Sequence, residues 1–258
     1  MRRVIKPINR RLSLKLSLGI TLFLMVIFVV SLGILFAVSR QMVKEQAIER
    51  AEIKLGNMVQ RVNGVMNEVE AASKLAEWNL DDKHLAADSI LNYARRIVAM
   101  NPNFDGCSIS FEPNYYPQKG RYFSVYAYNL DESDSVVAKI EKPYDYFDKV
   151  YYKTPISLGK PCWVEAYSED TEGVTNDTYY DLIVSYCVPL YNEARDLVGV
   201  ISTDLSVPWL SKVISQYRPY ENSYSLMLGA DGQYLIHPDS TKLINKTIFT
   251  DVDRKSVV

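Results

Sequence analysis

Hydrophobic and polar positions change rhythm three times along the chain. Leu16 to Val38 is a run without a charge, long enough at about 1.5 Å per residue to cross a hydrocarbon core of about 30 Å, and it predicts a transmembrane helix. A cleaved signal peptide is the rival reading, with Ala37-Val38-Ser39 offering small residues at peptidase spacing. Secretory apolar regions run about 7 to 15 residues, shorter than this one. Beyond the span, Val43, Ala47, Ala51, Leu55, Met58, Val62, Val65, Val69, Ala72 and Ala76 recur at three- and four-residue steps, which predicts a long amphipathic stalk helix. That stripe suits a helix packed on its own domain and a stalk paired with a second copy equally well. The helical pattern weakens at Asn79-Leu80-Asp81-Asp82, resumes through Leu85, Ile90, Tyr93, Ala94, Ile97 and Val98, and stops at Asn101-Pro102.

From there the period becomes two. Cys107, Ile109 and Phe111 alternate with Ser108 and Ser110, and Tyr122 to Tyr128 is aromatic and β-branched enough for a second strand. Trp163 to Tyr167, Leu182 to Leu190 and Leu197 to Thr203 supply three more, the last two joined by the polar connection Glu193 to Asp196. A short helix from about Pro208 to Tyr217 follows, with the proline in its first turn. A second strand pair then begins with Tyr224 to Leu228, the turn Gly229-Ala230-Asp231-Gly232, and Gln233 to His237. The fold class is therefore α+β: a membrane helix and stalk helix, a five-stranded antiparallel sheet, a connecting helix, and a second sheet left incomplete at Val258.

Charge gives this order a direction. Residues 1 to 40 carry seven basic side chains and no acidic one, leaving 22 basic against 31 acidic groups in the remainder. Six of the seven precede the span, so the positive-inside rule predicts a cytoplasmic N-terminus and an extracytoplasmic remainder, with the inner membrane as the expected location. An acidic domain repels phosphate backbones, which disfavours nucleic-acid binding.

Catalytic chemistry is sparse. The two histidines, His84 and His237, share no metal-ligand spacing with each other or with a cysteine, and no nucleophile elbow, phosphate loop or dinucleotide fingerprint occurs. No catalytic residue, metal or cofactor is expected. Cys162 and Cys187 fall on strands expected to be antiparallel neighbours around a hairpin centred near Val174, so they suit either a disulfide or two reduced core thiols.

The stretch Tyr144 to Tyr152, followed by Trp163 and Tyr167, is dense in aromatic residues. Such residues bury apolar area while keeping hydroxyl and indole donors available, which suits a pocket for a small polar ligand with Lys149 as a carboxylate's counter-charge. A tyrosine-rich core with Lys149 reaching to water accounts for the same composition.

Asp145-Tyr146-Phe147, Tyr151-Tyr152-Lys153, Gly159-Lys160-Pro161-Cys162-Trp163, Val184 to Leu190 and Leu197 to Leu205 together resemble the double Cache family of extracytoplasmic sensors, over roughly residues 40 to 249. The resemblance implies two PAS-like sheets on a long helix, with the membrane-distal one binding the ligand. It divides the chain into a basic N-terminus (1–15), membrane helix (16–38), stalk (39–79), distal module (80–205), connecting helix (206–218) and proximal module (219–258). In amino-acid-binding relatives a Tyr, an Arg and a Trp-Tyr pair hold the ligand carboxylate, and a later Asp holds its ammonium. Tyr144, Tyr152 and Asp204 match, whereas Lys149 stands where the Arg would be and Tyr151 where the Trp would be. Lysine lacks the bidentate guanidinium fork, so the expected ligand class widens to an amino acid, small carboxylate or amine. Asp204 also shares strand parity with Val198, Val200 and Ser202; it suits a ligand cation, a cap on the following helix or an exposed strand end.

These readings predict a sensory input region, non-enzymatic in itself and homodimeric through its stalk, whose effector domain lies beyond Val258. The alternative is an anchored binding protein that presents a small ligand to a separate transporter or receptor.

Overall fold

A computed structural model describes residues 8–81, 86–130, 135–167, 182–243 and 246–251. The chain forms two units, Met1–Leu55 and Gly56–Val258. The first is helical throughout its described residues. It holds most of the one helix among the described residues that is long and apolar enough to cross a membrane, with the side chains of the apolar run exposed. His84 and the hairpin centre near Val174 lie outside the described residues.

The second unit is built on a six-stranded sheet, antiparallel at every pairing, in the order β3-β2-β1-β6-β5-β4. Its strands are β1 (Gly106–Phe111), β2 (Ser124–Leu130), β3 (Ser135–Ile140), β4 (Cys162–Tyr167), β5 (Ile183–Tyr191) and β6 (Leu197–Ser206). The sequence pattern predicts five of these. The sixth, β3, is an edge strand paired to β2 alone, and its residues are exposed or half-buried throughout. A short strand of that kind needs no clean apolar alternation, and an exposed lysine suits an edge.

One face of the sheet carries Cys107, Ile109, Phe111, Val125, Ala127, Tyr186, Val188, Ile201 and Leu205 against two helices. These are α1 (Ile8–Asp81) and α2 (Ala87–Met100). Within this unit the stripe of α1 is buried from Met58 through Val62, Val65, Val69 and Ala76, so from Met58 onward the helix packs on its own domain. α2 lays Ala87, Ile90, Ala94, Ile97 and Val98 onto the sheet, the three- and four-residue steps of an amphipathic helix.

On the other face lies α3 (Val150–Leu158), closed by Gly159 in the left-handed region at φ 60°. This helix falls inside the aromatic stretch, where the density of tyrosines masks its periodicity. After β6, α4 (Val207–Ser215) starts with Ser206 as its cap, the hydroxyl accepting from Trp209 N at 3.3 Å. Asp204 is therefore not the cap. α4 buries Val207, Leu210 and Ile214 together with Met58 and Val62 of α1. A two-stranded sheet, β7 (Met227–Leu228) and β8 (Tyr234–Ile236), follows, and α5 (Ile248–Asp251) ends the described chain.

Candidate functional site

Directly paired residues of neighbouring antiparallel strands share a face, so the strand register defines the surface under α3. Ser108 stands between Tyr126 and Ser202, Ser110 is opposite Ser124, and Asp204 stands between Gly106 and Ser185. Ser108, Ser110, Ser124, Ser185, Ser202 and Asp204 are all buried. The second face of an antiparallel sheet is commonly polar because it meets water; here it is polar and covered, by Tyr146, Tyr151 and Tyr152 with Tyr144 and Phe147.

Asp204 is 1% exposed. Its Oδ1 accepts from Ser185 Oγ at 2.6 Å and Ser202 Oγ at 2.9 Å, and the Tyr126 hydroxyl also donates to the carboxylate. Gly106 permits that last bond, since a Cβ at this position would collide with the Tyr126 ring and hydroxyl. Burial holds the Asp204 carboxyl above the ordinary carboxylate range; the three donated bonds oppose the shift, and the charge of Glu141 adds to it. Among the described residues no Lys, Arg or His forms an ion pair with it. Lys139, exposed on β3, holds its ammonium 5.8 and 5.4 Å from the ring centres of Tyr126 and Tyr128.

A second acid, Glu141, acts on Asp204 through its charge. Glu141 Oε2 accepts from Ser124 Oγ at 2.6 Å and from Tyr144 Oη at 3.4 Å, while Tyr144 and Tyr151 hydroxyls lie 2.7 Å apart. Tyr152 donates to Glu112 Oε1 at 2.7 Å, and burial together with that carboxylate raises its phenol well above the usual value. Tyr146 donates to Phe111 O at 2.6 Å, and burial pushes its pKa up to about 12. These phenols stay neutral at physiological pH, as donors rather than charges.

Of the residues singled out by sequence, Tyr144, Tyr151, Tyr152 and Asp204 are brought to this face. Lys149 is not: its side chain is exposed and its backbone carbonyl starts α3, accepting from Tyr152 N and Lys153 N. Trp163 points to the opposite face, where its Nε1 donates to Glu70 Oε1 of α1 at 3.0 Å and its ring lies 5.2 Å from Tyr186. Strand parity dictates this, because Cys162 and Val164 take the α3 side. Tyr167 ends β4 opposite Ile183, and its side chain lies outside the described residues. Sequence reasoning missed the serines, Tyr126, Glu141 and Gly106. The alternation of Ser108 and Ser110 was visible, but it reads as a solvent face until both serines are seen to be buried. Among the described residues no cluster of metal-ligating side chains occurs.

The family model described as methyl-accepting chemotaxis protein-like, first PDC sensor domain, matches residues 90–212, which contain this sheet and α3. No curated protein matches the sequence. Among solved structures, the chain is similar to the extracellular domain of the putative histidine kinase mmHK1S-Z3, with 20% identity over 76% of this chain and 71% of that one, TM-score 0.58. It is similar to Methyl-accepting Chemotaxis protein X at 14% identity over 76% of each chain, TM-score 0.63. The ligand-binding domain of the Pseudomonas aeruginosa PAO1 amino acid chemoreceptor PctB in complex with L-Gln shares 18% identity over 77% of this chain and 69% of that one, TM-score 0.51. The fold is that of extracellular sensor domains.

Proposed function

We propose that this chain is the extracytoplasmic input region of a membrane-bound signal-transduction receptor, and that it binds a small ligand through an ammonium group held at Asp204. The observation that carries this is a fully buried carboxylate whose partners are the hydroxyls of Ser185, Ser202 and Tyr126. A carboxylate offers about four acceptor positions, so these three donors leave room for a fourth. An unpaired buried charge is costly, and a ligand cation offsets that cost directly. The charge of Glu141 also acts on this carboxylate, and a ligand cation offsets it. Tyr144 and Tyr151 present hydroxyls and ring faces suited to enclosing an ammonium.

In this reading residues 80–205 form the membrane-distal module and 219–258 belong to the proximal one, with the N-terminus cytoplasmic by the positive-inside rule. The PctB domain, of the same fold, was solved with an amino acid, which carries an ammonium group. Lys149, exposed on α3, gives no support for a carboxylate clamp of the guanidinium kind. Ligand binding shifts the conformational balance only by its differential affinity for two states, and α1, packed on the sheet that carries Asp204, is the element that feels the shift.

A thermal-shift screen of the full chain in detergent tests this with putrescine, γ-aminobutyrate, L-glutamine and acetate. Stabilisation by at least one ammonium-bearing probe, absent in Asp204→Asn, is expected. Stabilisation by acetate alone overturns the ligand class.

A further inference from the structure

Cys162 and Cys187 are Cα partners across β4 and β5, and both side chains belong to the cluster beneath α3. Directly opposed residues of an antiparallel pair have Cα atoms about 4.5 to 5.5 Å apart, whichever of the two pair types they form. Disulfides span about 4.4 to 6.8 Å between Cα atoms. The Cα spacing of such a pair therefore falls within the range a disulfide needs.

Their environments differ in a useful way. Cys162 lies half-buried on the edge strand. Cys187 is fully buried, its thiol donating to Ser202 Oγ at 3.6 Å, and Ser202 in turn donates to Asp204. Cys107, the third cysteine, is buried on the opposite face of the sheet.

We propose that Cys162 and Cys187 form a reversible cross-strand disulfide, a redox-addressable bond that ties the edge strand β4 to β5 beside the Asp204 network. The step is thiol–disulfide exchange with an external disulfide, small or proteinaceous. The Cys162 thiolate attacks one sulfur of that disulfide and expels a thiolate. Cys187, deprotonated, then attacks the Cys162 sulfur of the mixed disulfide and expels the second. Two cysteine thiols are oxidised, the external disulfide is reduced to two thiols, and the protons of the cysteines pass to the departing thiolates. The Cys187 S–H is consumed, so Ser202, which donates to Asp204, loses that donor. This inference rests on the strand register and not on the ligand assignment.

The test is to equilibrate the full chain in detergent with oxidised glutathione, denature it in N-ethylmaleimide, and map the peptides. The expected result is a peptide joining Cys162 to Cys187 with only Cys107 alkylated, reversed by dithiothreitol. The melting temperature of the oxidised protein should exceed that of the reduced one by about 5 to 10 °C, a difference absent from Cys162→Ser. Cys107→Ser should retain both the bond and the shift, which guards against a non-specific effect of the oxidant. Alkylation of all three cysteines after oxidation, or glutathione held on Cys162 with Cys187 still free, would overturn the proposal.

Discussion

Ser73 of α1 and Thr203 of β6 share a hydrogen bond, 2.8 Å between hydroxyl oxygens, and both residues are completely buried. Thr203 precedes Asp204 and points to the opposite face of the sheet, so the strand that holds the buried carboxylate is bonded on its other side to the helix. Together with the bond from Trp163 to Glu70, this buried polar pair fixes the register of α1 on the sheet.

Replacing one member removes this bond from the other. Ser73→Ala and Thr203→Val should each cost about 1 to 3 kcal/mol in urea unfolding, because a buried hydroxyl loses its partner. The double variant should cost less than the two singles together by more than about 0.5 kcal/mol. Strict additivity would show that the pair is not coupled. If this bond carries the ligand's effect to α1, Ser73→Ala should leave the affinity for an ammonium ligand within about twofold. It should also weaken the ligand-induced change in amide exchange along residues 58–76.

Asp204 sets a pH dependence of definite sign. Unfolded, its carboxyl titrates near the ordinary value of 3.8; folded, burial places it higher. Between those values the folded chain binds the proton more tightly. The contribution of Asp204 to ligand-free stability is therefore present below the lower value and lost as pH rises through the folded one. Melting temperatures from about pH 4 to 8 should show this loss in wild type and not in Asp204→Asn. An ammonium ligand needs the ionised carboxylate, so its affinity should rise over the same interval, with proton release on binding.

Gly106 is required by Tyr126. Gly106→Ala should displace the Tyr126 hydroxyl from Asp204 and cost about 1 to 3 kcal/mol through overpacking. Tyr126→Phe should remove the same hydrogen bond with less strain. If both weaken ligand binding, and Gly106→Ala alone lowers stability strongly, the close approach is confirmed by calorimetry.

The two faces of the sheet should separate by function. Trp163→Phe loses the bond to Glu70 and should lower stability by about 1 kcal/mol. Ligand affinity should stay unchanged in that variant and in Lys149→Ala. Tyr151→Phe breaks the pair with Tyr144 and should weaken binding with little change in melting temperature. A binding loss in Trp163→Phe equal to that in Tyr151→Phe would contradict the assignment of faces.

The sequence was most informative where one periodicity held over many residues. The apolar run before Arg40, the stripe from Met58 to Ala76 and the alternation in β1 correspond to a membrane-length helix, the packed part of α1 and a central strand. β3 and α3 were missed because each is short: one is exposed at the sheet edge, and the other is so rich in tyrosine that no polar face stands out. Asp204 was accessible from strand parity and family resemblance. Trp163 was misplaced because proximity to an aromatic cluster in sequence ignores that successive strand residues point to opposite faces. The serine floor was invisible as a site, since a Ser-x-Ser alternation reads the same whether water or protein covers it.

The account stands most directly on a calorimetric titration of the full chain, wild type and Asp204→Asn, with putrescine, γ-aminobutyrate, L-glutamine and acetate at neutral pH. Binding of at least one ammonium-bearing probe, none of acetate, and at least a tenfold loss in the variant, about 1.4 kcal/mol, is the predicted result. Equal affinity in Asp204→Asn, or no binding by any ammonium-bearing probe, would contradict it.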